Sequence, residues 1–168
     1  REILVYGYGS DGMVTASKDI ITILGNYTDA YVQGYFRYDS KKSGGVTISN
    51  LRVSKEDIKR PYYIKKANLL VCTKDSYLLR YDIVDKIKKG GTFILVSSKK
   101  GDELIKFLPN NVKKTIIDKE IKMYVIDAYK IAEECNIPNK ISMILESAIF
   151  KIAGLVNYDL IIGKIKDQ

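Results

Sequence analysis

A glycine-rich motif near the start of the chain has the residue types and spacing that hold a phosphate group. The motif Gly7-Tyr8-Gly9-Ser10-Asp11-Gly12 matches GxGxxG, follows a strand-like run at residues 2–6 and precedes a helical pattern at 13–24. Glycines permit a tight turn and close backbone approach, and free N–H groups at the start of a helix attract anions. The motif therefore predicts an anion-binding turn, with strand–helix packing as the alternative reason for its glycines.

The motif does not match a classical dinucleotide site, because the acid that binds the ribose is not where such a site needs it. That acid lies at the end of the second strand, about 20 residues after the glycines. Here Asp29 precedes the second predicted strand, and Arg37 and Tyr38 lie at its far end. Asp11 also brings a carboxylate into the turn itself. NAD binding is therefore a disfavoured interpretation of the motif.

A second candidate for anion binding is a polar loop between predicted strands at 30–38 and 46–53. The loop has the sequence Asp39-Ser40-Lys41-Lys42-Ser43-Gly44-Gly45. Lys41 and Lys42 supply positive charge, Ser43 supplies a hydroxyl group, and Gly44 allows backbone amides to approach an anion. The alternatives are an ordinary solvated loop and a salt bridge to another domain.

Missing residue types exclude several kinds of chemistry. The 168 residues include no histidine, which excludes Ser-His-Asp and Cys-His catalysis and imidazole-bound metals. Cys72 and Cys135 form no CxxC pair, so this chain alone cannot build a thiolate zinc site or an iron–sulfur cluster. We assign no residue a catalytic or metal-binding role, and we expect Cys72 to be inert. Two lone cysteines and no signal peptide favour the cytoplasm, and no apolar run is long enough to span a membrane.

The charge balance favours anionic partners without identifying their class. Lysine and arginine total 28 against 20 acidic residues, which gives a formal charge of +8. The lysine pairs are spread through the chain, as is typical of a solvated surface. A nucleic-acid groove would need them interleaved with exposed aromatic residues on one face. We therefore expect no nucleic-acid partner.

The order of strand-like and helix-like segments predicts an α/β fold in one domain, residues 1–168. We expect a three-layer α/β/α sandwich with a Rossmann-like, largely parallel sheet of five or six strands. The strand pair around the polar loop is the expected antiparallel exception. The predicted strands are 2–6, 30–38, 46–53, 68–73, 92–97 and 122–126. The predicted helices are 13–24, 76–89, 102–107, 127–135 and 140–155, with 25–26 and 90–91 as helix ends and 111–117 left ambiguous.

Residues 31–52, together with the glycine-rich motif, resemble the gamma domain of single-chain pyruvate:ferredoxin (flavodoxin) oxidoreductases. The most specific part is the octet Tyr38-Asp39-Ser40-Lys41-Lys42-Ser43-Gly44-Gly45. Similar features continue at 67–69, before one buried strand, and at 89–92, before the next. The resemblance covers essentially the whole chain. Because the chain begins at Arg1 and enters a strand at once, we expect a domain cut from a longer polypeptide.

The resemblance implies an enzyme that decarboxylates pyruvate with thiamine diphosphate and transfers the acetyl group to coenzyme A. Electrons pass through iron–sulfur clusters to ferredoxin or flavodoxin. This chain lacks the thiamine-diphosphate signature and the cysteine motifs for clusters. Those groups are therefore expected in other domains of the same enzyme, which we expect to be a homodimer. The isolated chain is expected to be inactive.

The resemblance also associates the gamma domain with coenzyme A binding. Coenzyme A carries a pyrophosphate and a ribose 3′-phosphate, so its site needs several cations and N–H donors. Two alternatives stay open, namely a purely structural interaction domain without a ligand and a stand-alone nucleotide-binding module. The candidate ligand-binding residues are Gly9, Ser10, Asp11, Gly12, Lys41, Lys42, Ser43 and Gly44.

Overall fold

A computed structural model describes residues 1–9, 11–39, 45–59, 63–138 and 140–153. Six strands form one sheet in the order β2-β3-β1-β4-β5-β6. The strands are β1 (Glu2–Tyr8), β2 (Tyr31–Asp39), β3 (Val46–Ser54), β4 (Ala67–Cys72), β5 (Ile87–Val96) and β6 (Lys122–Ile126). The helices are α1 (Met13–Tyr27), α2 (Gly101–Phe107), α3 (Asn110–Asp118), α4 (Ala128–Glu134) and α5 (Ile141–Ala153). None of the helices in these ranges is long and apolar enough to cross a membrane.

The sheet is mixed, and its parallel part is built from the most apolar strands. Strands β1, β4, β5 and β6 are parallel neighbours, whereas β3 runs antiparallel to both β1 and β2. Strands covered on both faces read as continuous apolar runs, as β1 and β4 do. The predicted α/β fold and the antiparallel pair around the polar loop are confirmed. The antiparallel pairing of β3 with β1 was not part of the prediction.

Layers on both faces of the sheet give the predicted three-layer architecture. Side chains alternate along β1, so that Ile3 faces one core and Leu4 faces the other. Helices α1, α4 and α5 cover the first face. The second face is covered by α2, α3 and two short 3-10 helices, Asp75–Leu79 and Val84–Lys86.

The predicted helix at residues 76–89 is wrong. The chain there forms the two 3-10 helices, and β5 already begins at Ile87 because this residue pairs with Ala67 of β4. The pairing register then shifts, and Gly90 adopts φ 75° and donates its N–H to the carbonyl oxygen of Lys119 at 2.7 Å. The glycines that suggested a helix end therefore form an irregularity within a strand.

Three further boundaries differ from the predicted ones. Helix α1 continues through Gly25 and ends at Tyr27, where Thr28 donates its backbone N–H to the carbonyl oxygen of Leu24 at 3.2 Å. The first two residues of the glycine-rich motif belong to β1. The ambiguous segment 111–117 is helical, as part of α3. Residue 139 and residues 154–168, which include the predicted end of the last helix, lie outside the described residues.

Candidate functional site

The candidate site lies where β1 and β4 end side by side. Strand β1 is followed by α1 on one face of the sheet, whereas the 3-10 helices that follow β4 pack on the other face. The two connections therefore leave in opposite directions, and such a switch point opens a crevice where α/β proteins bind ligands. The glycine turn, residues 7–12, borders this crevice from β1, and Thr73 borders it from β4.

Asp11 occupies the centre of the glycine turn with its own carboxylate. The side chain is 7% exposed, and its Oδ2 accepts hydrogen bonds from the backbone N–H of Tyr8 at 2.9 Å and from the hydroxyl of Thr73 at 2.7 Å. Its Oδ1 accepts the backbone N–H of Met13 at 2.9 Å. One carboxylate therefore links the end of β1, the start of α1 and the end of β4.

The glycines of the motif have separate structural reasons. A Cβ at Gly7 would lie 2.8 Å from Oδ2 of Asp11, so the carboxylate can approach only a residue without a side chain. Gly12 has φ 76°, and a Cβ there would lie 3.3 Å from the Cβ of Ser142 in α5. At Gly9 a Cβ would meet open space. Two of the three glycines thus have structural reasons that involve no ligand.

The strand order does not provide the ribose-binding part of a classical dinucleotide site. In a classical site the second strand lies beside the first and brings its terminal acid to the ribose. Here β3 lies between β1 and β2 and runs antiparallel to both, so the end of β2 is two strands away from β1. The disfavoured NAD interpretation gains no support from this arrangement.

The lysine loop, residues 39–45, leaves and re-enters the sheet at the same edge as the glycine turn. Val46, the first residue of β3, pairs both with Tyr8 of β1 and with Asp39 of β2. Of the predicted ligand-binding residues, Gly9, Asp11 and Gly12 are described, and all three lie in the glycine turn. The other five lie outside the described residues, namely Ser10, Lys41, Lys42, Ser43 and Gly44.

A cleft of about 340 Å³ continues the crevice along the ends of β4, β5 and β6. The ammonium group of Lys74 lies 5.3 Å from the ring centre of Tyr8, and the hydroxyl of Tyr8 is hydrogen-bonded to that of Tyr129. The sequence analysis missed these residues, although polar residues directly after buried strands were a usable signal. The cleft is lined by Thr73, Lys74, Asp75, Val96, Ser97, Ser98, Asp127 and Tyr129.

An ion pair holds one wall of this cleft. The ammonium group of Lys99 and the hydroxyl of Ser97 donate to Oδ2 of Asp75 at 2.9 and 2.8 Å. Burial by itself would raise the pKa of Asp75, but these hydrogen bonds outweigh it and hold that pKa below 3.8. Asp75 is therefore ionised and neutralised by Lys99 at neutral pH.

The phenol and thiol groups around the site stay protonated at neutral pH. Burial raises the pKa of Tyr77 and that of Cys72 each to about 12. Burial and the hydrogen bond to Tyr8 raise the pKa of Tyr129 as well. Of the three, only Tyr129 is exposed at the cleft and placed to contact a ligand, whereas the Tyr77 phenol and the Cys72 thiol are buried. In the described ranges, no cluster of three or more Cys, Asp or Glu side chains is placed to hold a metal ion.

The opposite edge of the sheet carries an ion-pair network, which we call the amino-edge network. Glu2 accepts hydrogen bonds from Arg52 at 3.1 Å and from Lys88 at 2.9 Å. The guanidinium group of Arg52 also donates to the side chain of Gln33 at 3.0 Å and to the carbonyl oxygen of Tyr63 at 3.2 Å. Arg52 is 7% exposed and binds Glu2, Gln33 and Tyr63, so we expect it to have a structural role.

Comparison with known sequences identifies relatives over the whole chain. The model of the pyruvate ferredoxin/flavodoxin oxidoreductase family matches residues 2–168. The chain is 48% identical over 163 residues to a pyruvate:ferredoxin oxidoreductase of Moorella thermoacetica, covering 97% of this chain and 14% of the relative. It is 39% identical over 165 residues to a probable pyruvate-flavodoxin oxidoreductase of Escherichia coli, covering 98% and 14%. The chain thus spans about one seventh of the length of these relatives.

Two solved structures share the fold at low sequence identity. The pyruvate oxidoreductase subunit PORC of Thermotoga maritima superposes with a TM-score of 0.66 at 18% identity, covering 93% of this chain and 78% of that one. The gamma subunit of a keto/oxoacid ferredoxin oxidoreductase of Geobacter sulfurreducens superposes with a TM-score of 0.68 at 17% identity, covering 94% and 80%. At this identity the likeness concerns the fold alone.

Proposed function

Because the chain belongs to the pyruvate ferredoxin/flavodoxin oxidoreductase family, we propose that residues 1–168 form the gamma domain of such an enzyme. The complete enzyme oxidatively decarboxylates pyruvate to acetyl-CoA and reduces ferredoxin or flavodoxin. The gamma domain contributes to coenzyme A binding and to packing between domains, and it is inactive alone. The support is the match over almost the whole chain and the much greater length of the relatives.

The remaining groups of the reaction belong to other parts of the enzyme. Thiamine diphosphate and the iron–sulfur clusters need a signature and cysteine motifs that these 168 residues lack. We place the enzyme in the reducing cytoplasm, because Cys72 and Cys135 are both free thiols. We propose a homodimer, the commonest symmetric assembly of soluble enzymes.

One observation carries the proposed coenzyme A site, namely that the strand ends that flank the lysine loop lie at the same edge of the sheet as the glycine turn. The pairing of Val46 with both Tyr8 and Asp39 places one end of the loop beside the turn and the other end one strand further along the same edge. In the proposed site, Lys41, Lys42, Ser43 and Gly44 bind the phosphates. Gly9 and Gly12 border the crevice, Asp11 holds the turn in shape, and we assign Ser10 to the same ligand-binding turn.

The cleft beside the crevice fits the less charged part of such a ligand. It adjoins the crevice through Thr73, and it offers the hydroxyl of Tyr129 and the ammonium group of Lys74 as donors. Its volume of about 340 Å³ accommodates part of a ligand and not the whole of coenzyme A. The rest of the ligand therefore extends toward the lysine loop or toward neighbouring domains.

Hydrogen–deuterium exchange on the full-length enzyme tests where coenzyme A binds. We expect coenzyme A to slow exchange at residues 7–12 and 38–46, and 3′-dephospho-coenzyme A to do so less at equal concentration. Residues 105–115 serve as the control segment, since α3 covers the sheet face and lies away from the crevice. Protection that spares both 7–12 and 38–46 would contradict the proposed site.

The proposed packing role has its own structural support at the edge strand β6. Tyr124 and Val125 are 44% and 39% exposed there, and β6 pairs with β5 on its inner side. An edge strand with exposed apolar side chains is normally covered by another element. We expect Tyr124→Lys to weaken assembly of the full-length enzyme, measured by analytical ultracentrifugation and melting temperature. Ile117→Lys, at a site 74% exposed on α3, is the control, and equal effects of the two would contradict this role.

A further inference from the structure

We infer that the Asp11 carboxylate acts as an internal anion that occupies the glycine turn and excludes the phosphate groups of nucleotides from it. The turn has the sequence and the position of a phosphate cradle, at the start of α1 and at the switch point between β1 and β4. The inference concerns Asp11 as a residue that determines specificity, and it does not depend on coenzyme A binding.

The first step is that Asp11 already uses the donors that a phosphate would need. The backbone N–H groups of Tyr8 and Met13 both point to its carboxylate at 2.9 Å, and the hydroxyl of Thr73 completes the set at 2.7 Å. A phosphate in a glycine-rich turn takes backbone N–H donors of this kind. Asp11 is only 7% exposed, so its carboxylate belongs to the interior of the turn.

The second step is that the turn has been shaped around the carboxylate. A Cβ at Gly7 would approach Oδ2 to 2.8 Å and Oδ1 to 3.1 Å. In nucleotide-binding proteins such a glycine lets a phosphate approach the backbone. Here the Asp11 carboxylate occupies that space. A phosphate entering the same place would collide with the carboxylate oxygens before it reached the backbone.

The third step is electrostatic. The three groups that bind the carboxylate are neutral donors, two amides and one hydroxyl, and within the described residues none of the ion pairs includes Asp11. Both carboxylate oxygens accept hydrogen bonds, and no cation is among the donors that bind them. A second anion placed beside it would meet strong repulsion, as two carboxylates that share a site do.

The consequence is selectivity between anionic ligands. A nucleotide that depends on the helix start for its pyrophosphate is rejected, whereas a ligand whose phosphates bind at the lysine loop is not. This last statement rests on the proposed function, but the exclusion itself does not. The internal anion also keeps the turn ordered when no ligand is bound, because its hydrogen bonds join three elements.

Chemical rescue of an Asp11→Gly variant tests the inference. The variant loses the carboxylate and leaves its donors and its space free for a small anion. We expect a lower melting temperature than the wild type has, which rises with the logarithm of added formate or phosphate concentration at constant ionic strength. The wild type is expected to show no such rise. A folded Asp11→Gly protein that responds to neither anion more than the wild type does would overturn the inference.

A second variant covers the case in which Asp11→Gly does not fold. Asp11→Ser keeps a hydrogen-bonding side chain but removes the charge, and we expect it to bind pyrophosphate about tenfold more tightly than the wild type does. Thr73→Val is the matched control, since it removes one hydrogen bond to Asp11 and leaves the charge. If Thr73→Val gained as much pyrophosphate affinity as Asp11→Ser, the cause would be a less ordered turn and not the loss of the carboxylate. That result would overturn the inference.

These measurements are independent of the coenzyme A proposal. They use formate, phosphate and pyrophosphate and not coenzyme A. Because each variant is compared with the wild type, anion binding at other sites of the enzyme contributes equally to both proteins and does not affect the difference. If coenzyme A proved to bind elsewhere, the rescue of Asp11→Gly would be unaffected. If the rescue failed, exchange protection at the lysine loop would still test the proposed function.

Discussion

The two edges of the sheet each hold a carboxylate that accepts several hydrogen bonds, but the donors are of different kinds. At the amino edge, Glu2 is bound by the two cations Arg52 and Lys88. At the carboxyl edge, Asp11 is bound by neutral backbone amides and the hydroxyl of Thr73. The amino edge therefore carries two cations against one acid, whereas the hydrogen-bond partners of Asp11 at the carboxyl edge include no cation.

This difference separates a structural edge from a selective one. Opposite charges in contact stabilise one arrangement of the side chains that carry them. A carboxylate held by dipoles is just as ordered, but its charge still acts on whatever approaches. We therefore expect substitutions at the amino edge to change stability, and substitutions at the carboxyl edge to change which anions bind.

The largest effect is expected at Arg52. Arg52→Met leaves Glu2 with one cation and removes the donors to Gln33 and Tyr63, which we expect to cost about 3–5 kcal/mol of unfolding free energy. Urea denaturation of the full-length enzyme measures this. Lys88→Met is the control, because the Lys88 side chain is 41% exposed, and its loss is expected to cost below about 1 kcal/mol.

Two outcomes of the Arg52 experiment would contradict the structural role of the amino edge. If Arg52→Met and Lys88→Met destabilised the enzyme equally, the amino-edge network would not depend on the buried partner. If Arg52→Met raised the KM for coenzyme A without destabilising the fold, the amino edge would have a ligand role that our interpretation denies it.

The next effect concerns Glu146, a carboxyl group with no partner in the helix layer behind the carboxyl edge. It lies in α5, is 3% exposed, and its Oε1 has no hydrogen-bond partner in the described structure. Burial, with a smaller contribution from Asp19 in α1, raises the pKa of Glu146 from 4.5 to about 7. The folded protein therefore binds this proton more tightly than the unfolded chain does.

The sign of the pH dependence follows from this shift. Between pH 4.5 and about 7 the unfolded chain loses the proton while the folded protein keeps it, so stability falls as pH rises across that interval. Glu146→Gln should remove this fall and be more stable than the wild type at pH 8 by about 2–3 kcal/mol. Urea titrations at several pH values measure it. Parallel pH profiles of the two proteins would refute the assignment.

A smaller effect is expected at Asp75, the paired acid of the carboxyl edge. Its pKa is held below 3.8 by Lys99 and Ser97, so its stabilising contribution is present above pH 3.8 and is lost as pH falls below that value. We expect Asp75→Asn to cost about 1 kcal/mol at pH 7, since the pair is partly exposed. Thermal melts at pH 7 and at low pH measure this. A cost that stayed the same at low pH would contradict the ionic origin.

The fold was predictable where a segment's own pattern decides its structure. The apolar run 68–73 fills both faces of the sheet, and α1 follows a turn with the right glycines. The segment 76–89 was not predictable in this way, because a helical pattern lost to the pairing of Ile87 with Ala67, twenty residues earlier. Pairing between strands depends on the partner strand, and no local signal reports it.

The site was predictable only in part. The glycines and Asp11 were visible, but the role of Asp11 depends on Thr73, which is 62 residues away in the chain. The insertion of β3 between β1 and β2, which separates the turn from the end of β2, likewise arises from tertiary pairing. The predicted binding role of Lys41 and Lys42 stays a prediction, since both lie outside the described residues.

The most direct test of the proposed function is the KM for coenzyme A of the full-length enzyme carrying Lys41→Ala and Lys42→Ala. The matched control is Lys113→Ala with Lys114→Ala, another lysine pair, which lies on α3. We expect the first double variant to raise the KM about tenfold, and to lose most of the preference for coenzyme A over its 3′-dephospho form. The control should keep both values. An unchanged KM in the Lys41/Lys42 variant, or an equal rise in the control, would contradict the proposed coenzyme A site.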